Sequence, residues 1–428
     1  MPTNYFSAEQ PYSQATVAHP TVATIEPNAP ENRKTAGPIR AIHVLILGAL
    51  SALGPLSTDM YLPALPALSR ELGATMAQTQ MTLSAGILGL ALGQVLSGPS
   101  SDAFGRRRPL LIGVAAFALA SLLCIVAPSV AALTLLRFVQ GVTGAAGIAI
   151  ALAIVSDLYN GTARARVLSL LILVSGLAPI LAPVIGSQLL RFTSWRGIFV
   201  TLALIGGLIL AAVIFGLNET LPANRRQRGG ITATLQAFRV LLLDRRFLGY
   251  ALSSGFAFAS AIIYISVSPF ILQNIYGISP QQIGIVFGIN AIGLVIVAQI
   301  GGRLVGRISP QKLLTWGITF FTVGCASLFV VVLNGIGLVG ILPSLFVLVA
   351  SLGLIGPNAT ALALNNTQAA GSAAALLGVV QFSIGAVAAP LVGLSGTMTA
   401  VPMAIAIAAF GLTTLVAFIL LCRPDQAQ

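Results

Sequence analysis

The sequence predicts an all-α polytopic membrane protein, with twelve transmembrane helices in two halves of six. Three observations carry that prediction. Only 7% of the 428 residues are charged, against 57% hydrophobic, whereas an average soluble domain carries roughly 25% charged residues. The apolar residues gather in runs of about 20, the length a helix needs to cross roughly 30 Å of hydrocarbon. The cations, 22 Lys and Arg against 10 Asp and Glu, lie almost wholly between those runs. In a soluble chain a net charge of +12 and a pI near 10.6 would suggest nucleic acid. Here the basic residues orient the chain in a bilayer, and no nucleic-acid partner is expected.

In chain order, residues 1–38 come first, with six prolines and the acids Glu9, Glu26 and Glu31. This composition predicts a disordered tail. It lacks the compact pattern of a signal peptide, so the tail is expected to be cytosolic. The apolar runs follow at 41–65, 77–97, 109–127, 130–157, 166–190, 196–217, 247–272, 281–302, 312–334, 338–362, 373–395 and 399–421. An N-terminal bundle is predicted over 39–217 and a C-terminal one over 247–422. Between them, 218–246 reads as a polar, basic cytosolic linker with Arg225, Arg226, Arg228, Arg239, Arg245 and Arg246. Residues 423–428 make a short cytosolic tail.

Charge placement supports the count of twelve. With both ends cytosolic, 18 of the 22 Lys and Arg fall on the cytosolic side, as the positive-inside rule requires. One missed or invented helix would spoil the alternation. An internal repeat points to two related halves. Pro183-Val184-Ile185-Gly186 is echoed by Pro390-Leu391-Val392-Gly393, 207 residues later, and Gly98 with its basic loop by Gly301 and the Arg303/Arg307/Lys312 loop, 203 residues after it. Paired halves with a site between them at the midplane are a transporter feature.

Ionisable groups inside a bilayer cost about 2.5–3.5 kcal/mol at a helix centre on insertion scales, which makes them functional candidates. Two qualify: Asp59 in the first span and Arg137 in the fourth. From Arg245 to Pro424 there is no acid, so a proton carried on a membrane carboxylate points to Asp59. Desolvation favours its protonated form and a nearby cation its carboxylate. The competing reading is a structural Asp59–Arg137 ion pair locking two helices. Gln140, three residues after Arg137, shares its helix face. Tyr61 points elsewhere from Asp59 and is read as packing.

Other motifs divide between function and structure. Gly98 to Pro109 places Asp102, Gly105 and Arg106-Arg107-Arg108 in a short cytosolic loop, with Asp157 at the end of span four as a partner for the arginines. The alternative is a plain positive anchor. Gly86, Gly89 and Gly93 and the series Gly141, Gly144 and Gly147 are close-packing positions. Gly176, Pro179, Pro183 and Gly186 predict a bend in span five, for gating or for shape. The C-terminal half offers Tyr264, Asn290, Gln299, Asn358 and Gln381 with Phe256, Phe258 and Phe382. This is an uncharged, aromatic half-cavity that suits lipophilic solutes better than sugars.

Several classes are excluded. No Gly-x4-Gly-Lys loop for ATP is present, and His19, His43 and the scattered Cys124, Cys325 and Cys422 have no metal-ligand spacing. No cofactor or metal is expected, the linker is too short for a catalytic or signalling domain, and an enzyme is not predicted.

These residues also carry a resemblance. Gly98 to Leu110 resembles the signature loop of the major facilitator superfamily, G-x3-D-x2-G-R-[RK], and Arg137-Phe138-Val139-Gln140-Gly141 its span-four motif. Gly176 to Gly186 resembles the span-five motif of that family's proton-antiport drug exporters, with Ala182-Pro183 where Gly-Pro is usual. "PLSTDMYLPALP" (Pro55 to Pro66), "QMTLSAGILGLALGQ" (Gln80 to Gln94) and "WRGIF" (Trp195 to Phe199) resemble the Bcr/CflA subfamily, the bicyclomycin and chloramphenicol resistance exporters of bacteria. The resemblance implies the major facilitator fold and a monomer in the bacterial inner membrane that exchanges protons for small drugs. By it, Asp59 would bind proton and drug, Arg137 would assist, and Asp102, Gly105, Arg106 and Arg107 with Asp157 would stabilise the outward-open state. The loop after span eight lacks the matching acid, so no second gating loop is expected there. The runner-up is a major-facilitator transporter of a natural metabolite.

Overall fold

The computed structural model describes residues 41–226, 230–365, 370–394 and 399–422. Both expected tails, 1–38 and 423–428, lie outside them, as does Arg228. Fourteen α-helices follow in order: α1 (Ala41–Asp59), α2 (Leu65–Glu71), α3 (Met76–Phe104), α4 (Arg107–Ile125), α5 (Val130–Leu158), α6 (Gly161–Leu189), α7 (Trp195–Gly216), α8 (Gly230–Leu243), α9 (Arg245–Asn274), α10 (Pro280–Leu304), α11 (Pro310–Leu333), α12 (Leu338–Leu364), α13 (Ala370–Gly393) and α14 (Val401–Leu421). Twelve spans are long and apolar enough to cross a membrane, with α1 and α2 together forming the first, Ala41–Glu71. The chain is thus a multi-pass membrane protein, and no β-strand occurs among the described residues.

Local chemistry sets the helix ends. Thr75 caps α3 and Ser279 caps α10. Each accepts from the backbone of a Gln three residues on, Gln78 or Gln282, whose side chain accepts in return from the capping residue's N–H. These reciprocal bonds satisfy donors that the first helical turn leaves open. Where α3 meets α4 the chain turns at Gly105, whose φ of +88° suits glycine.

Two expectations need correction and one gains detail. Asp59 lies inside the first span, Ala41–Glu71, but not within a continuous helix: it is the last residue of α1. Pro63 has no N–H to offer the Asp59 carbonyl, so the chain leaves the helix, makes a short 3-10 turn at Leu62–Ala64 and resumes as α2. Asp102 is not in a loop either, because α3 continues to Phe104 and carries it in its last turn. The segment 218–246 is not a plain polar linker, since 14 of its residues, Gly230–Leu243, form α8. The polar and basic residues there masked an apolar stripe that buries Leu241.

Packing follows the glycines. A methyl group on Gly89 or Gly93 of α3 would strike the carbonyl oxygens of Phe138 or Val142 on α5, and one on Gly141 would strike that of Gly86. The two backbones therefore approach closely, the packing device that membranes favour because lipid gives helices little hydrophobic reason to associate. Across the halves, α3 packs on α13 and α6 on α10. These pairs correspond under the internal repeat and flank the site.

Candidate functional site

Between the halves lies a cavity of about 470 Å³. Asp59 reaches it because the break after α1 brings the carboxylate to the wall. Pro179 and Pro183 of α6 line it, and Gln94 of α3 faces in from the same half. The opposite half contributes Tyr264 of α9, Asn290 of α10 and Gln381 of α13, together with Phe258 and Phe382. Asn290 Nδ2 donates to Tyr264 Oη at 2.6 Å. The Tyr264 ring stands edge-on to Phe287 at 5.4 Å, and Phe258 stands edge-on to Phe382 at 5.3 Å. Among the described residues, Asp59 is the one charged side chain on the wall. The C-terminal wall is aromatic and amide, with Asn290 and Tyr264 bonded to each other.

Arg137 and Gln140 do not line the cavity. Both are 0% exposed, set behind Asp59 in the N-terminal half. Arg137 Nη1 donates to Ser57 Oγ at 3.0 Å and to Gln140 Oε1. Gln140 Nε2 in turn donates to Ser121 Oγ at 2.6 Å. Among the described residues no ion pair joins Asp59 to Arg137, so the lock of the competing structural reading is not made. The guanidinium instead lies 4.4 Å from the centroid of the Tyr61 ring. Tyr61 was read as packing, yet it is fully buried against the site's cation. Beyond the helix break its direction no longer follows helical spacing. Ser57, two residues before Asp59, and Ser121 were not singled out, because a single small hydroxyl in an apolar run carries no spacing signal.

At the end of the bundle holding the α3–α4 turn, Arg106 gathers three helix ends. Its Nη1 donates to Asp102 Oδ1 at 2.5 Å and to Ser101 Oγ at 2.8 Å, and its Nε to Asp157 Oδ2 at 2.9 Å. Burial alone would loosen its proton, but the Asp157 and Asp102 carboxylates outweigh burial and hold the guanidinium more firmly charged. Glu219, just past α7, completes the cluster and was missed from sequence. It accepts from the backbone N–H groups of Arg106 at 2.8 Å and Arg107 at 3.3 Å, and a methyl on Gly105 would strike its carboxylate. Burial would raise the Glu219 carboxyl, yet the N–H groups of Leu221, Arg106 and Arg107, with Arg226 nearby, hold it below the usual range. The available signal was an acid directly after span six in a chain with ten acids in all. Arg107 Nη2 also donates to Ile214 O at 2.8 Å. Gly98 joins this network through its backbone, its carbonyl accepting from Ser101 Oγ at 2.9 Å, with open space where a side chain would be.

The opposite end is held differently. Three glutamine amides bridge the halves there: Gln80 Nε2 to Ser266 O at 3.5 Å, Gln273 Nε2 to Pro63 O at 3.0 Å, and Gln281 Nε2 to Ser187 O at 3.2 Å. Within the N-terminal half, Gly186 lets α6 pack against the helix break, since a methyl on it would strike the Met60 carbonyl just beyond Asp59. Gly176 has open surroundings, and α6 runs as one helix through both of its prolines.

Comparison with known proteins agrees with this architecture. Residues 47–390 match the family model described as Major Facilitator Superfamily. The chain is 38% identical over 370 residues to the uncharacterized MFS-type transporter YdgK of Bacillus subtilis strain 168, covering 86% of this chain and 92% of that one. It is 32% identical over 363 residues to the bicyclomycin resistance protein homolog of Haemophilus influenzae strain Rd, covering 85% and 91%. Among solved structures, that of a D-xylose-proton symporter superposes with a TM-score of 0.71 at 14% identity, over 90% of this chain and 98% of that one. This last likeness speaks for the fold.

Proposed function

The chain belongs to the Major Facilitator Superfamily, and from that premise we propose that it exports small, mostly lipophilic drugs in exchange for protons. It would do so by alternating access across a bacterial inner membrane, with both termini cytosolic. One observation carries this reading: Asp59 is the one charged side chain on the wall of a cavity otherwise apolar, aromatic and amide-lined. Such a wall offers a sugar few hydrogen-bond partners, while a lipophilic solute can bury against it. The name of the bicyclomycin resistance relative supports drugs as the substrate class.

In this account Asp59 binds drug and proton in turn. A proton arriving from outside neutralises the carboxylate and releases drug, and proton loss to the cytosol restores drug binding. A carboxylate in the membrane needs a cation within reach when its proton leaves. Arg137, fixed by Ser57 and Gln140, supplies that cation. Tyr264, Asn290 and Gln381 present the polar contacts of the C-terminal wall. Asp102, Arg106, Arg107, Asp157 and Glu219 act as a charged latch on the cytosolic end, with Gly105 allowing the turn. The Gln80, Gln273 and Gln281 amides latch the outer end. Pro179 and Pro183 leave α6 carbonyls without helical donors beside the cavity, where the helix can flex. The cavity is enclosed by one chain's two halves, so a monomer suffices.

The test is export from proteoliposomes under an imposed proton gradient. Wild-type protein should pump drug, and Asp59→Asn should fold, insert and fail to pump. Uphill pumping by the Asn variant would overturn the mechanism. Gradient-driven export of a natural metabolite without any drug export would favour the metabolite reading.

A further inference from the structure

Arg137 is a buried cation without an anion. Two of its donors are incompletely used: Nη1 reaches Ser57 and Gln140, but Nε and Nη2 have no hydrogen-bond partner. What faces the guanidinium instead is an aromatic box. The Tyr61 ring centroid lies 4.4 Å from it and that of Phe199 5.8 Å. Tyr61 is itself pinned. Its hydroxyl shares a 3.3 Å hydrogen bond with Thr82 Oγ1, its ring lies 6.0 Å from that of Phe199, and it is 0% exposed. An aromatic face attracts a desolvated cation through its quadrupole, which partly replaces the missing counter-ion.

The placement of Tyr61 gives this contact a consequence. Asp59, Met60 and Tyr61 are consecutive and form the point where α1 stops. The coupling acid, at the last position of α1, and the aromatic seat two residues beyond it therefore flank one helix break, and both act on one cation. We infer that the Tyr61 ring is an alternative seat for Arg137, competing with the Asp59 carboxylate, and that Tyr61 is thereby a positioning residue for proton coupling. The inference rests on the exporter reading above. In the arrangement seen, the guanidinium occupies the ring, and its unused Nε and Nη2 remain to turn toward a carboxylate. The groups facing the cation are Ser57, Asp59 and Tyr61 from the first span, Gly86 from α3, the Cys124 thiol from α4, Gln140 from α5 and Phe199 from α7. Among them Asp59 is the one carboxylate.

The competition can be measured. Removing the ring frees Arg137 for the carboxylate, so export should need a higher proton concentration to release drug. In proteoliposomes, the midpoint of the pH–export profile should move to lower pH by roughly one unit in Tyr61→Leu, the range a desolvated cation–π contact allows. Tyr61→Phe keeps the ring and should track wild type. Should Tyr61→Leu fail to fold, phenylalanines bearing zero to three ring fluorines at position 61 keep the shape while weakening the π face, and the midpoint should move stepwise with fluorine number. A sloped wild-type profile with a flat fluorine series would overturn this inference alone, as would a Tyr61→Phe shift equal to that of Tyr61→Leu. A wild-type profile without pH dependence would overturn the coupling reading and this inference with it.

Discussion

In the N-terminal half, the cavity wall carries Asp59, and behind it Arg137 is held by Ser57, Gln140 and the Tyr61 ring. In the C-terminal half, the wall carries Tyr264 bonded to Asn290, the Phe258–Phe382 pair and Gln381. Both halves carry an echoed Pro-x-x-Gly segment, yet among the described residues the one charge on the cavity wall, Asp59, is on the N-terminal side. The comparison teaches that the repeat supplies the scaffold and the cavity, while chemistry need be installed only once. In the proposed mechanism, the N-terminal half handles protons and the C-terminal half recognises the solute.

The largest effects should therefore fall on the N-terminal side. Arg137→Ala should abolish net export and also lower stability by about 1–3 kcal/mol, because the Gln140 carbonyl loses its donor in a buried site. Export assays and thermal melting of the purified protein read the two effects. If Arg137→Ala pumps normally, the division of labour between the halves is broken. Next come the C-terminal aromatics. Phe258→Ala or Phe382→Ala removes an edge-on aromatic contact of about 0.5–1.5 kcal/mol beyond lost burial. The apparent KM should rise about 3- to 10-fold for bulky drugs, with the number of protons exchanged per drug unchanged. A changed proton count in either variant would move coupling into the C-terminal half. Asn290→Ala frees the Tyr264 hydroxyl into the cavity and should alter the ranking of drugs by KM within about fivefold, again with coupling intact, as competition assays against a panel of drugs would read.

The smallest effect is at the cytosolic latch. The N–H donors that hold Glu219 below the usual carboxylate range bind its charged form. Their stabilisation is present above the ordinary Glu value of about 4.3 and is lost as pH falls through the lower folded-state value. Glu219→Gln should therefore melt earlier than wild type at pH 7, by an amount on the order of 1 kcal/mol, with the gap closing as pH drops below about 4. A gap independent of pH would show that the Glu219 charge contributes nothing to the latch.

Much of this was legible in the sequence. Run lengths and the one-sided arginines predict the spans, and the rarity of intramembrane charge singles out Asp59 and Arg137. The pairing of Arg106 with Asp157 follows from the turn beside the end of span four. What stayed hidden depends on backbone geometry. The break at Pro63 moves Asp59 to a helix end and turns Tyr61 under Arg137, and helical spacing cannot anticipate either. Glu219 comes to the α3–α4 turn only because α7 packs on α4. Nor does spacing reveal that Asp59 and Arg137 stand unpaired, since that depends on which of several nearby partners the guanidinium takes.

The central claim is that one carboxylate on one half couples drug to proton. It is tested most directly by following pH in a weakly buffered solution of purified protein as drug is added, for wild type and Asp59→Asn. Wild type should release protons on drug binding and Asp59→Asn should release none, with drug binding itself still detectable or lost. Equal proton release from both proteins would contradict it.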